Sequence, residues 1–220
     1  PAKAAAEFLR RTGFNVVVPD PKACCGRPLL SKGLVSEAQL LALQTVEILH
    51  PYAAQGFPIV GLEPSCILTF RDEFVSLLPG DLRIQQLAAA ALPFEEFVDH
   101  PARTGGFRDV KWKPEKRHVL LHGHCHQKAI VGTGASERCL ALPGYTVETV
   151  DTSCCGMAGS FGYEKEHYDV SIAMAERRLA PAVRAAAPDT LVAAAGTSCR
   201  AQILDTTERH ALHPAEILLA

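Results

Sequence analysis

The chain reads as an α/β protein made of two pseudo-repeated βαβ halves, with small parallel sheets and cysteine loops at the carboxyl ends of the strands. Three observations predict this. Short β-branched runs alternate with longer helical patterns along the 220 residues, as parallel βαβ units require. A Cys-Cys-Gly motif occurs twice, at Cys24-Cys25-Gly26 and Cys154-Cys155-Gly156, each followed by a Ser-Cys pair, Ser65-Cys66 and Ser198-Cys199. The approach repeats too: Gly13 precedes Cys24 by 11 positions and Gly144 precedes Cys154 by 10. Self-similarity of this kind marks a duplicated unit.

The elements follow in order. Residues 2–12 are rich in Ala, Leu and Arg and predict a helix ended by Gly13. Phe14 to Val18 is a β-branched run and predicts a strand. Ser36-Glu-Ala-Gln39 has the form of a capping box, and Leu40, Leu43, Val46 and Leu49 follow at helical spacing. Pro58 to Leu62 predicts a second strand, and Ile67–Leu78 and Leu82–Leu92 predict helices. The polar stretch from Pro93 to Arg117, with Gly105-Gly106, is the natural connector. Beyond it come a strand at 118–121, a helix near 127–141, a strand at 145–150 and a long helix near 164–186. A strand at 190–194, a helix at 199–208 and a final helix opened by Pro214 complete the pattern. The domain expectation is a first half over 1–100, a linker over 101–117 and a second half over 118–220.

The second half has a strand and a cysteine loop, His122-Gly-His-Cys125-His, upstream of Gly144. The matching place in the first half falls about six residues before Pro1, by the spacing of an internal repeat. The chain is therefore expected to be a piece of a longer polypeptide.

Composition narrows the class. The chain has 48% hydrophobic residues and no apolar run of membrane-spanning length. A net charge of −2 gives no nucleic-acid footprint. Eight cysteines are many, yet sparser than in a small disulfide-stapled secreted domain. Vicinal pairs at strand ends look like ligands, which implies a reducing compartment. The expected location is the cytoplasm, or the cytoplasmic periphery of an inner membrane.

The cysteines carry the chemistry. On this reading Cys24, Cys25, Cys66, Cys125, Cys154, Cys155 and Cys199 lie just past the carboxyl ends of strands, the edge where parallel sheets build their sites. Cys139 falls inside a helix and reads as a small buried hydrophobe. Structural zinc prefers Cys-x₂₋₄-Cys knuckles, which are absent. Adjacent cysteines diverge and suit a polynuclear cluster, where each thiolate reaches a different iron. Cys125, Cys154, Cys155 and Cys199 would hold the principal cluster; Cys24, Cys25 and Cys66 would make a second site. His122, His124 and His126 crowd the Cys125 loop, and Arg27, Lys128 and Arg200 flank the cysteines as accessory groups favouring thiolate. The catalytic residues are not assigned.

At these residues the chain resembles a known family. Cys-Cys-Gly-Arg-Pro-Leu-Leu-Ser-Lys-Gly (24–33), Leu-Glu-Pro-Ser-Cys (62–66), His-Gly-His-Cys-His-Gln-Lys (122–128) and Cys-Cys-Gly-Met-Ala-Gly-Ser-Phe-Gly-Tyr-Glu (154–164) are similar to the cysteine-rich domain of the heterodisulfide reductase B subunit. The same domain occurs in iron–sulfur subunits of glycolate oxidase and anaerobic glycerol-3-phosphate dehydrogenase. The nearer resemblance is to the C-terminal iron–sulfur module of FAD-linked D-2-hydroxyacid dehydrogenases of the D-lactate dehydrogenase kind. It implies an electron-transfer module holding an iron–sulfur cluster, [4Fe–4S] in type. Its implied partners are FAD-binding and ferredoxin-like domains and an electron acceptor. The substrate would be a D-2-hydroxy acid such as D-lactate, glycolate or 2-hydroxyglutarate.

One departure stands out. The family pattern ends in Cys-x-x-Cys, where this chain has the single cysteines Cys66 and Cys199. An ordinary cubane, a noncubane cluster and a degenerate first half all stay open. With no Gly-x-Gly-x-x-Gly, the isolated chain is expected to be inactive. The alternatives are a thiol–disulfide reductase of the heterodisulfide kind and a structural zinc module.

Overall fold

The computed structural model describes residues 1–107, 109–113 and 116–220. The first half runs α1 (Ala2–Arg11), α2 (Arg27–Ser31), α3 (Val35–Ala53), β1 (Ile59–Gly61), α4 (Pro64–Arg71), α5 (Glu73–Leu77), α6 (Leu82–Ala90), β2 (Ala91–Pro93) and α7 (Phe94–Asp99). Then come α8 (Pro101–Thr104) and a 3₁₀ turn, Gly105–Phe107. The second half runs β3 (His118–His122), α9 (Cys125–Ile130), α10 (Gly134–Ala141), β4 (Thr146–Thr149), α11 (Tyr168–Arg177), α12 (Leu179–Ala185), β5 (Leu191–Ala194), α13 (Thr197–Thr207), β6 (Ala211–Leu212) and α14 (Pro214–Leu219). No helix among the described residues is long and apolar enough to cross a membrane.

Every strand pairing among the described residues is parallel, as the α/β reading requires. The second half has the sheet order β4-β3-β5-β6, and the first has only β1-β2 among its described residues. β3 is central, and its Val119, Leu120 and Leu121 are all buried, because helices cover both faces of a parallel sheet. Leu120 packs with Val192 and Ala194 on one face; Val119 and Leu121 pack with Ala193, Leu140 and Ile217 on the other. β4 is an edge strand, and its Thr146 and Glu148 are exposed.

Several sequence expectations need correction. Residues 14–18 form no strand. Their counterpart β4 pairs only with β3, and among the described residues nothing takes the place of β3 beside β1. A β-branched run without a ladder stays unpaired, and Val17 and Val18 are exposed. Thus five of the seven site cysteines follow a true strand, while Cys24 and Cys25 follow an unpaired segment. The Ser36 capping box does not form: α3 begins at Val35 with no side-chain cap. The helix read through Leu92 stops at Ala90, because Ala91–Pro93 pairs in register with Ile59–Gly61. The long helix near 164–186 divides into a 3₁₀ turn at Lys165–His167, α11 and α12.

The connector is better packed than its polarity suggests. Phe94, Phe97 and Val98 of α7 are buried, and so is Phe107. Arg108, Pro114 and Glu115 of the expected linker lie outside the described residues.

The two halves exchange helices. α1 packs on α14, and α10 packs on α7. One apolar cluster therefore joins Phe8 and Leu9 to Leu218, and Phe94 and Phe97 to Cys139. Cys139 is fully buried there.

Candidate metal centre

In the second half, three strand ends deliver the site. β3 ends at His122, and Gly123 and His124 turn the chain into α9, which begins at Cys125. The His124 side chain caps that helix by accepting from the His126 amide at 3.2 Å. β4 leads to Thr152, Cys154 and Cys155. Gly156 then takes φ 101°, and a Cβ there would sit 2.2 Å from the Ser171 carbonyl oxygen, so only glycine fits. β5 leads to Gly196 and, in the first turn of α13, to Cys199. A Cβ on Gly196 would lie 2.5 Å from the His124 ring and 3.1 Å from the Cys199 sulfur.

The four sulfurs form a chain. The thiol of Cys125 faces Cys154, Cys155 lies between Cys154 and Cys199, and Cys199 meets His122. Cys154 is held well below the ordinary thiol range by hydrogen bonds from Cys125 and Cys155, with help from the Gly156 amide. Cys199 is likewise lowered, by Cys155 first and then by His122. Cys125 and Cys155 are pushed up in return, since each shares its proton with a neighbouring thiolate, and burial adds to the effect. A ring nitrogen of His122 and the sulfurs of Cys155 and Cys199 lie within 4.8 Å of one another, all three residues buried.

The first half repeats part of this. The Cys25 and Cys66 sulfurs are 3.1 Å apart. The Cys66 thiol, the nearby backbone and Arg27 bring Cys25 down to about 7, against the opposing effect of burial, and Cys66 rises correspondingly. Cys24 is exposed, and its carbonyl accepts from Thr45 Oγ1 at 2.6 Å.

The two sets meet at one boundary. α4, which carries Cys66, packs against α9, which carries Cys125. Glu63 bridges the halves: one carboxylate oxygen accepts from the Thr197 amide at 2.7 Å, and the other lies 3.7 Å from His124 Nε2. Lys32 pairs with Glu164 across the same boundary. Nothing in the spacing of Glu-Pro-Ser-Cys signals this reach of Glu63.

The accessory residues go to different places. Arg27 pairs with Glu73, which also approaches His126 at 3.9 Å. His126 is lowered by burial and then by Arg27 and His124. Lys128 donates to the Thr152 carbonyl. Arg200 folds back on the carbonyls of Ala194 and Ala195 and closes the end of β5 rather than facing sulfur.

The donor set suits an iron–sulfur cluster. Four clustered cysteines are the usual ligand complement, and adjacent cysteines can serve different metal atoms. Here four sulfurs run contiguously, two already biased to thiolate, with a buried imidazole beside them. The same donor set also fits zinc, since Cys₄ suits that ion.

Several known proteins resemble this chain in sequence. The chain is 30% identical to D-2-hydroxyglutarate dehydrogenase of Pseudomonas putida, over 98% of this chain and 20% of that protein. It is 27% identical to the C subunit of anaerobic glycerol-3-phosphate dehydrogenase from Escherichia coli, over 98% of this chain and 54% of that relative. Lactate utilization protein A of Bacillus velezensis is 27% identical over 72% of this chain and 66% of its own length. The chain thus spans about a fifth of the first relative and about half of the second. The family model for the cysteine-rich domain, CCG, matches residues 1–71 and 119–204, both Cys-Cys-Gly copies included, and the chain belongs to that family.

Proposed function

We propose that this chain is the iron–sulfur electron-transfer part of a larger FAD-linked oxidoreductase that oxidises a D-2-hydroxy acid. The observation that carries the reading is the contiguous run of Cys125, Cys154, Cys155 and Cys199 at one sheet edge. Those four would hold a [4Fe–4S] cluster, which when bound supplies one-electron transfer. Cys24, Cys25 and Cys66 would make the second site. Each residue has a defined task. Cys154 and Cys199 offer thiolate directly, and Cys125 and Cys155 release their protons as metal binds. The Gly156 amide donates to the Cys154 sulfur, and Gly196 leaves room for the His124 ring beside the Cys199 sulfur. FAD, ferredoxin-like domains and the electron acceptor belong to the remainder of the polypeptide or complex. The substrate would be D-lactate, glycolate or 2-hydroxyglutarate, with the protein in the cytoplasm or at the cytoplasmic face of a membrane. Alone, the chain would relay electrons and oxidise no hydroxy acid.

Anaerobic reconstitution tests this. Iron and sulfide should bind together and give a broad visible absorption that dithionite bleaches. Stoichiometric zinc without iron, in protein purified without oxygen, would overturn the cluster. Stable FAD, or dye reduction by D-lactate with this chain alone, would overturn the relay.

A second reading rests on the Cys25–Cys66 contact of 3.1 Å and a Cys25 thiol near 7. Such a pair is suited to thiol–disulfide exchange. Reduction of a disulfide substrate by the reduced protein, lost in Cys25→Ser, would favour that reading over the relay.

A further inference from the structure

His122 is 1% exposed at the end of β3, and its ring is addressed from one side by a relay of hydrogen bonds. Thr152 Oγ1 lies 3.0 Å from its Nδ1. Lys128 Nζ lies 3.4 Å from the same Oγ1 and donates to the Thr152 carbonyl as well. An ammonium has donors only, so the Thr152 oxygen accepts from Lys128; its one O–H can then be given to Nδ1, the arrangement adopted in the proposal below. A neutral imidazole whose Nδ1 accepts carries its proton on Nε2. That Nε2 is buried with no hydrogen-bond partner, and a nitrogen of the same ring lies within 4.8 Å of the sulfurs of Cys155 and Cys199. A buried N–H of this kind needs an acceptor.

The three residues have separate origins. His122 ends β3, Thr152 follows β4 and Lys128 lies in α9. Each loop that brings one of them also brings a cysteine. The first half has no such relay among its described residues. The position two before Cys24 is Lys22, which is exposed and donates to the Pro19 carbonyl.

We propose that Lys128 and Thr152 are positioning residues that lock His122 in its Nε2–H tautomer, making it a hydrogen-bond donor to the Cys199 sulfur rather than a metal ligand. The proposal deepens the iron–sulfur reading and rests on it for its redox consequence. A donor to a ligating sulfur stabilises the electron-rich state and raises the reduction potential.

Two measurements separate the inference from the function. In the metal-free full chain, ¹⁵N shifts of the His122 ring report the tautomer with no cluster present. The expected result is a neutral ring protonated at Nε2, turning to a tautomer mixture in Thr152→Val and staying fixed in Thr152→Ser. A ring protonated at Nδ1, a doubly protonated ring, or a Thr152→Val ring identical to the unmodified one would overturn the relay. In the reconstituted chain, Thr152→Val and Lys128→Met should bind the same iron but reduce less readily. A tenfold shift in that equilibrium is about 59 mV for one electron. Equal iron with unchanged potential would overturn the proposal. If no variant binds iron, the functional reading falls, and the relay is decided by the ring shifts.

Discussion

Among the described residues the first half holds two strands and three site sulfurs, while the second holds four strands and four sulfurs with His122 beside them. The repeat that produced both is still visible in the backbone. Gly13 and Gly144 take φ 94° and 90°, and Gly26 and Gly156 take 70° and 101°. What differs is the central strand. In the second half β3 pairs with both β4 and β5, fixing their register and setting the cysteine loops side by side. Without an equivalent among the described residues, 14–18 finds no partner, and Cys24 ends exposed while its counterpart Cys154 is half-buried; the second cysteines of the two pairs, Cys25 and Cys155, are both buried. A parallel sheet thus positions a site through its middle strand, and the loops of the outer strands follow.

Iron binding gives the largest test of this contrast. Cys154→Ser or Cys199→Ser should remove most of the bound iron, Cys24→Ser less, and Cys139→Ser almost none. The measurement is iron per chain after identical anaerobic reconstitution. Equal losses in Cys24→Ser and Cys154→Ser would mean that both halves share one site or that the first half holds the principal one.

Glycine substitution sharpens the comparison. Gly156→Ala meets a carbonyl oxygen at 2.2 Å, whereas Gly26→Ala finds nothing nearer than 3.7 Å. The first should cost on the order of 4 kcal/mol, through a forced backbone shift. The second should cost about 1 kcal/mol, from the left-handed conformation alone. Urea unfolding of both variants checks the order, and equal losses would show that the second half is not the tighter one.

The strand-to-helix junctions differ in charge chemistry. Glu95, in α7, is fully buried with both oxygens unpartnered, and burial raises it from 4.5 to about 7. His213 caps α14 and bonds the Leu62 carbonyl at 2.9 Å, and burial lowers it from 6.5 to about 4. The folded state binds the Glu95 proton more tightly than the unfolded state does. Its contribution is therefore complete below about 4.5 and lost as pH rises through about 7, by roughly 3 kcal/mol. The folded state binds the His213 proton less tightly, so stability falls as pH drops from 6.5 through about 4. Unfolding midpoints across pH should show Glu95→Gln flattening the alkaline limb and His213→Asn the acid limb. A Glu95→Gln profile parallel to that of the unmodified chain would mean that Glu95 is ionised in the folded state.

Much of this was legible in the sequence, and the failures have physical causes. Leu191–Ala194 and Thr146–Thr149 were readable because β-branched or apolar runs there do find partners. Phe14–Val18 has the same local character, and its outcome depended on a strand elsewhere. Ala91–Pro93 was hidden because alanines favour helix locally, and only pairing with β1 overrides them. The cysteines declared themselves by repetition. His122 was visible as one of three histidines, but its relay needs Thr152 and Lys128 brought together from separate elements. Glu63 and His213 left no signal, since each owes its role to a residue far along the chain, and Glu95 left none because tertiary packing alone buries it.

The exchange of helices bears on how the molecule is made. Phe8 and Leu9 leave the ribosome long before Leu218, with which they pack. Phe8 also packs on Phe94 and Phe107 of the first half, so only the part of α1 that meets α14 stays uncovered until the second half has been synthesised. Folding by halves during translation, the usual order for tandem units, would leave this face of α1 to be covered last, by the six-residue helix α14.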